Sequence, residues 1–261
     1  MIDEEMDYLI SQVAELIVQS KRVVVFTGAG VSTESGIPDF RGPDGIWTKY
    51  DPEDFTLQKF LGDAETRKLH WRMFGEAGLT MDAKPNPAHY AVAELERMGK
   101  LDCVITQNVD GLHQKAGNSE DKVIQLHGNM SSVKCLSCGK RWTMAEVMER
   151  VEKGEELPEC DVCHGILKPE AIFFGEAMPV WETSEAERRS RNCDLCIVIG
   201  SSLVVYPAAF MPRIAQQSGA KLVIINEEPT DLDRAAHVRI PGKAGVVMSR
   251  VMEKVHQRLG T

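Results

Sequence analysis

No stretch of this chain stays apolar for the roughly 20 residues that a bilayer-spanning helix needs, so a helical membrane protein is not expected. Positive charge is also in short supply. Thirty Lys and Arg stand against 39 Asp and Glu, for a net charge of -9. Holding a phosphate backbone regardless of its sequence needs clustered basic residues, so nucleic acid is not an expected partner. An acidic surface suits a basic polypeptide through electrostatic steering, and it aids solubility in any case. The opening stretch, MIDEEMDYLI, has none of the basic character of a signal peptide, and the expected location is the cytoplasm. In a reducing compartment the seven cysteines are expected as metal ligands or free thiols, not as a disulfide framework. Internal repeats and low-complexity segments are missing.

What the chain does have is the pattern of an α/β protein. Its 261 residues suit one large domain, or a domain with a small module. Met6, Leu9, Ile10, Val13, Leu16 and Ile17 fall at helical spacing. Short apolar runs, each the mark of a strand buried on both faces, start at Val23, Cys103, Val123, Leu195 and Lys221. Helical segments separate them. Asn86-Pro87 caps one that Gly99 ends, Pro207 to Ser218 is another, and Val247, Val251, Val255 and Leu259 mark the last. Strands alternating with helices predict a doubly wound parallel sheet.

Two stretches break the rhythm. Residues 39–85 are polar, loop-rich and helical, and residues 128–173 hold four cysteines and little apolar content. The cysteines come as CLSC (Cys135, Cys138) and CDVC (Cys160, Cys163), with 21 residues between the pairs. Two such knuckles close a tetrahedral thiolate site for zinc, and four thiolates leave no open position for catalysis. The metal is therefore expected to be structural, holding a module too poor in apolar residues to fold alone. His164 beside Cys163 is expected in solvent. Cys193 and Cys196 have no partner pair and lead into a buried strand, so they and Cys103 are read as packed residues.

The turn after the first strand, TGAGVST, begins like a dinucleotide fingerprint, G-x-G-x-x-G, but the third position is Thr33. The acidic residues about 20 positions later, Asp51 and Glu53, lie in a polar segment and not at a strand end. VIINEE near the C-terminus offers instead a strand that ends in Asn226, Glu227 and Glu228, suited to ribose hydroxyls. VIGSS ends another strand in Gly200, Ser201 and Ser202, which allow close approach of phosphate or ribose.

GAGVSTESGIPDFR (28–41), TQNVDGLH (106–113), LHG (126–128), the four cysteines, FFGE (173–176) and GSSLVVYPA (200–208) follow in that order. The series resembles the sirtuin family of NAD-dependent protein-lysine deacetylases, of the prokaryotic and archaeal type, over nearly the whole chain. The resemblance implies a Rossmann-like domain (residues 1–38, 86–127 and 174–261), a flexible cofactor loop with a helical insertion (39–85), and a zinc-ribbon module (128–173). It implies that NAD is consumed: nicotinamide leaves the ribose, the acyl-lysine carbonyl oxygen attacks the ribose carbon, and the alkylamidate resolves to free lysine and O-acetyl-ADP-ribose. Expected partners are acetylated-lysine proteins or peptides, basic or chromatin-associated.

Site roles follow from the same resemblance. His127, closing a strand, is the expected base, with a pKa suited to neutral pH. Asn108 is expected to hold ribose or water, Asp110 and the Val109 amide the nicotinamide carboxamide, and Gln107 a ribose hydroxyl. Gly28, Ala29, Gly30, Ser32, Ile37 and Phe40 line the nicotinamide side, with Phe40 shielding the reactive carbon. Arg41 meets phosphate, Trp47 belongs to the cofactor loop, and Ala244 meets adenine. Phe174, Gly175, Glu176, Val204, Val205 and Tyr206 take the peptide between two strand edges. His113 is expected to be structural. Relatives that prefer acidic acyl groups carry Tyr-x-x-Arg where this chain has His70 and Met73, which favours acetyl or longer apolar groups over succinyl. Two competing readings use the same features: a mono-ADP-ribosyltransferase on this scaffold, and a zinc-ribbon nucleic-acid module, which the charge disfavours. A dehydrogenase is the third.

Overall fold

A computed structural model describes residues 2–76 and 83–260; the part of the helical insertion at 77–82 lies outside the described residues. Nine strands and nine α-helices follow in chain order among them: α1 (Ile2–Gln19), β1 (Val23–Thr27), α2 (Leu57–Gly62), α3 (Ala64–Glu76), α4 (Pro87–Arg97), β2 (Leu101–Thr106), α5 (Leu112–Ala116), β3 (Val123–Gln125), β4 (Ser132–Cys135), β5 (Arg141–Thr143), α6 (Met144–Glu152), β6 (Leu167–Pro169), α7 (Val180–Asn192), β7 (Leu195–Ile199), α8 (Phe210–Gln217), β8 (Lys221–Ile225), β9 (Val238–Ile240) and α9 (Ala244–Leu259).

Six strands form one parallel sheet in the order β3-β2-β1-β7-β8-β9. This is the strand order of dinucleotide-binding folds. The apolar runs are explained by burial on both sides. Val23 and Val25 join α1, α4 and α9 in one core. Val24 and Phe26 point the other way, into a core completed by α7 and α8. Cys103, Cys193 and Cys196 all lie in that second core, where burial pushes their thiols up, Cys193 to about 12. They are packing residues, as their positions in the sequence predict.

A second, antiparallel sheet, β5-β4-β6, carries the cysteine module. Trp71 of α3 is completely buried against Val133, Val147 and Leu167 of that module. The two departures from the α/β rhythm therefore share one core. Among the described residues no helix is long and apolar enough to cross a membrane.

Three elements depart from the sequence expectation. The helix placed from Pro207 starts at Phe210. Helix α7 had no visible period because it buries only Ala186 and Ser190; Arg189 instead pins it to Asp102 of β2 at 2.9 Å, while also pairing with Glu185 one turn earlier on the same helix. The edge strand β9 is three residues long, too short to show alternation.

A close backbone approach joins the turns after β1 and β7. Gly30 N–H donates to the Gly200 carbonyl at 2.9 Å. Gly200 has φ of 62°, and a Cβ there would lie 2.1 Å from the Val31 nitrogen. Gly200→Ala is expected to destabilise the fold by about 2–5 kcal/mol through left-handed strain and overpacking. Urea unfolding measures this, and a loss below 1 kcal/mol on the order-of-magnitude scale of ordinary surface changes would contradict the contact.

Candidate active site

Strands β1 and β7 are neighbours, but the chain leaves them toward opposite halves of the sheet. Ligands bind at such switch points, outside the carboxyl ends of the strands. Here the glycine turn runs into two single 3-10 turns, Ala29–Val31 and Thr33–Ser35, with no α-helix. A dehydrogenase places a helix N-terminus at the pyrophosphate; this turn has none to offer. The missing third glycine reflects that difference.

A cavity of about 800 Å³ opens over the switch point. Gly28, Ala29, Gly30, Ser32, Gln107, Asn108, Val109, Asp110 and His127 line its floor. Ile37, Phe40, Arg41 and Trp47 cover it from the loop after β1, and Gly200, Ser201, Ser202, Asn226 and Glu228 form the far rim. Phe174, Gly175, Glu176, Val204, Val205 and Tyr206 complete the peptide side. Two expected residues are not in the lining. Glu227 is exposed, and its carbonyl accepts from Arg239 at 3.4 Å. Ala244 is buried in the core at the start of α9.

The floor is a closed polar network. Ser32 Oγ donates to Asp110 Oδ2 at 2.7 Å, and Asn108 Nδ2 donates to Ser32 Oγ and to the Gly28 carbonyl, both at 3.2 Å. Gln107 Nε2 donates to Ser201 Oγ at 2.9 Å, bridging the two sheet halves. The second Asp110 oxygen accepts from Leu112 N–H at 2.9 Å. Below lies His89, whose Nε2 is 3.5 Å from Ser32 Oγ and whose pKa burial lowers to about 4. Asn86 caps α4 and donates to the Val31 carbonyl at 2.7 Å, tying the glycine turn to the helix. The sequence marks Asn86 as a cap, but nothing marks His89 as part of the site. His113 is buried, with Nε2 3.0 Å from Thr27 Oγ1, the structural place expected of it.

His127 lies two residues beyond β3. Its Nδ1 is 3.0 Å from the Gln107 carbonyl, which can only accept, so Nδ1 carries the proton. That leaves the Nε2 lone pair as a base. Burial holds the ring's pKa below 6.5, so the neutral form prevails at pH 7.

Beyond His127 the cavity turns apolar and aromatic. Trp47 packs with Phe40 at 5.1 Å, Phe55 at 5.0 Å and Phe174 at 6.1 Å between ring centroids. His70 and Met73, expected at the acyl end, do line this part, with Phe173 of FFGE and with Phe55, Phe74 and Met130, which sequence reasoning missed. Neither FFGE nor VVYP is a strand. Phe174 instead spends its N–H on the Phe55 carbonyl and its carbonyl on Leu57 N–H. Lys168 is buried beneath the loop. Its Nζ donates to the Ala171 carbonyl at 2.6 Å and pairs with Glu176 at 2.8 Å, while Glu176 also accepts from Phe173 N–H at 3.0 Å. The Glu176 carboxylate is thus committed to shaping the loop.

In the module, the sulfurs of Cys135, Cys138, Cys160 and Cys163 all lie within 4.8 Å of one another. Cys135 and Cys163 are 3.5 Å apart, and Cys138 and Cys160 3.6 Å. Tetrahedral zinc with bonds near 2.3 Å needs sulfurs about 3.8 Å apart, so the set fits. Backbone N–H groups of Cys138 and Val162 point at Cys135 and Cys160 sulfur, each at 3.5 Å. His164 stands exposed outside the set, 3.9 Å from Glu159.

A parallel sheet with its cleft at the switch point and a four-thiolate module inserted beside it defines a nucleotide-using enzyme with a structural metal. The chain belongs to the Sir2 family, whose model matches residues 28–207. It is 47% identical over 247 residues to NAD-dependent protein deacylase 2 of Archaeoglobus fulgidus, covering 94% of this chain and 96% of that one. It is also 47% identical to the NAD-dependent protein deacetylase of Thermodesulfovibrio yellowstonii, covering 94% and 95%. Among solved structures, a Sir2 variant with deacetylated p53 peptide and 3′-O-acetyl ADP ribose superposes with TM-score 0.88 at 42% identity, covering 93% and 97%. Sir2Af2 bound to a myristoylated histone peptide does so at 0.80 and 39%, covering 97% and 98%.

Stripping the metal with a chelator is expected to unfold the module and remove activity secondarily. Fluorescence of Trp71 and Trp142, which both pack in the module core, follows the unfolding. Unchanged emission and rate without metal would contradict a structural site.

Proposed function

We propose that this protein is an NAD-dependent protein-lysine deacetylase, moving the acyl group of acyl-lysine to ADP-ribose and releasing nicotinamide. One observation carries the reading. His127 presents an unprotonated Nε2 where the polar cleft meets the aromatic channel. Acyl transfer to a sugar needs such a base to take the hydroxyl proton, and the glycine turn beside it offers no helix N-terminus of the dehydrogenase kind.

NAD is the co-substrate, and it supplies an electrophilic ribose carbon once nicotinamide departs. Asp110 and the Val109 amide hold the carboxamide, with the Asp110 carboxylate aligned by Ser32. Asn108 and Gln107 position ribose or water, and Arg41 faces phosphate. Ser201, Ser202, Asn226 and Glu228 take the adenosine half. Phe40, packed on Trp47, excludes the water that would otherwise hydrolyse the activated sugar. His127 withdraws the ribose hydroxyl proton through Nε2. Residues 1–38, 86–127 and 174–261 act as the nucleotide-binding domain, with 39–85 as loop and helical insertion and 128–173 as the zinc module that carries the substrate loop.

The acyl-lysine enters the channel between Phe174 and Val204. Its aromatic walls favour acetyl or longer apolar groups, and Lys168, beneath them, has its donors engaged by Pro169, Ala171 and Glu176. Lys168 therefore offers a succinyl group no free charge. The net charge of -9 favours basic, chromatin-like protein substrates. Three buried free thiols, Cys103, Cys193 and Cys196, suit a reducing cytoplasm.

His127→Ala is expected to lower kcat at least about 100-fold while calorimetry still detects NAD. Full activity in that variant would remove His127 from the mechanism. For the native enzyme, protonation removes the base, so kcat/KM falls on the acid side. Burial places that midpoint below the 6.5 of an ordinary histidine. An acid limb centred above 6.5 would contradict the assignment. With an acetylated, an octanoylated and a succinylated peptide compared, the succinylated one is expected to turn over slowest.

A further inference from the structure

We propose that the mouth of the channel continues into an apolar shelf, built on Trp181 and Phe210, which selects substrates with a bulky apolar side chain about three residues from the acyl-lysine. The inference rests on the reading of the cleft as the acyl-peptide site, and it names what that site asks of the polypeptide around the lysine.

Helix α7 buries only Ala186 and Ser190. After its first two residues it reads ETSEAERRSRN, a solvated and mostly charged sequence. Those first two residues are Val180 and Trp181, and they stand 84% and 69% exposed. In α8 the buried residues are Met211, Pro212 and Ala215, and Phe210 at its start is left exposed. Single apolar residues scattered over a surface need no explanation, but a group gathered at one place marks a contact.

The gathering place is the channel mouth. Met178 lines the cavity, and Trp181 follows it by three residues, so their backbones are at most about 11 Å apart. Tyr206 lines the cavity too, and its exposed ring packs on Phe210 at 4.7 Å between centroids. Helix α7 leads into β7 and α8 into β8, and these strands are parallel. Both helices therefore start at the cleft edge of the sheet. Ala186 of α7 shares one core with Met211 and Ala215 of α8, which sets the two starts side by side.

Continuity with the channel decides the occupant. A polypeptide whose acyl-lysine passes between Phe174 and Val204 sends one arm across this rim. An extended chain advances about 3.3 Å per residue, so the shelf lies about three residues from the lysine. A large apolar side chain at that place takes Trp181, Phe210 and itself out of water together, and an aromatic one adds ring contacts. A small or charged side chain gains neither. Backbone pairing in the cleft tolerates any sequence, so the shelf supplies a preference that pairing alone does not.

The test moves one phenylalanine, position by position on both sides of the lysine, through an acetyl-lysine peptide otherwise made of glycine and serine, at saturating NAD. On one side, about three residues from the lysine, kcat/KM is expected to rise about ten-fold through a lower KM. Trp181→Ser and Phe210→Ser should each lower that peak, and the double variant should abolish it. A flat scan in the native enzyme would overturn the proposal whether or not the variants fold. So would a peak only at the residue next to the lysine, or one that survives the double variant. Light scattering checks the competing occupant: a dimer that Trp181→Ser dissociates would give the shelf to a second copy of the chain and overturn the proposal. Turnover of the peptides with a flat scan removes this inference alone, and failure of every acetylated peptide to turn over removes the deacylase reading as well.

Discussion

Two backbones touch where the sheet reverses direction, and the site is built around that contact. Gly30 and Gly200 meet through one hydrogen bond at 2.9 Å, with no room for a side chain on either. The contact brings the turn after β1 against the turn after β7, so that Gln107 can reach Ser201 across the gap. It also consumes the glycines that a dehydrogenase would turn toward pyrophosphate. The same two-glycine signal thus serves a different geometry, in which the chain coils into 3-10 turns and hands Ser32 to Asp110.

Around that contact, fixed acceptors decide protonation. The Gln107 carbonyl accepts from His127 Nδ1–H and the Asp54 carbonyl accepts from His70 Nε2–H. In both rings the remaining nitrogen is an acceptor, and burial keeps both rings neutral. One of these acceptors sits at the polar end of the cavity and the other at its apolar end. The zinc module contributes at a distance. Its Lys168 pins the loop of Phe173 and Phe174 that walls the channel, which explains how a closed metal site bears on substrate binding.

The sheet was legible because its strands are buried on both faces, so Val23 to Phe26 and Leu195 to Ile199 read as unbroken apolar runs. The cysteine spacing was legible because metal geometry tolerates few alternatives. Most floor and rim residues were legible as ordered motifs, since the chemistry is concentrated on strand-end turns. What stayed hidden was set by tertiary contact. Helix α7 is held by ion pairs and not by an apolar stripe. Phe55, Phe74 and Met130 reach the channel from an insertion and a module that share a core only in three dimensions. Glu227 is exposed and Ala244 packs in the core, so neither belongs to the lining that their motifs suggested. FFGE reads as a strand, yet it is a loop over a buried lysine.

The central claim is that this cleft breaks the bond between nicotinamide and ribose and passes an acyl group to the sugar. Mass analysis of the pure enzyme with NAD and an acetylated peptide tests it most directly. The expected products are nicotinamide, deacetylated peptide and O-acetyl-ADP-ribose in equal amounts. Peptide carrying ADP-ribose with its acetyl group intact, or reduced nicotinamide dinucleotide, would contradict it.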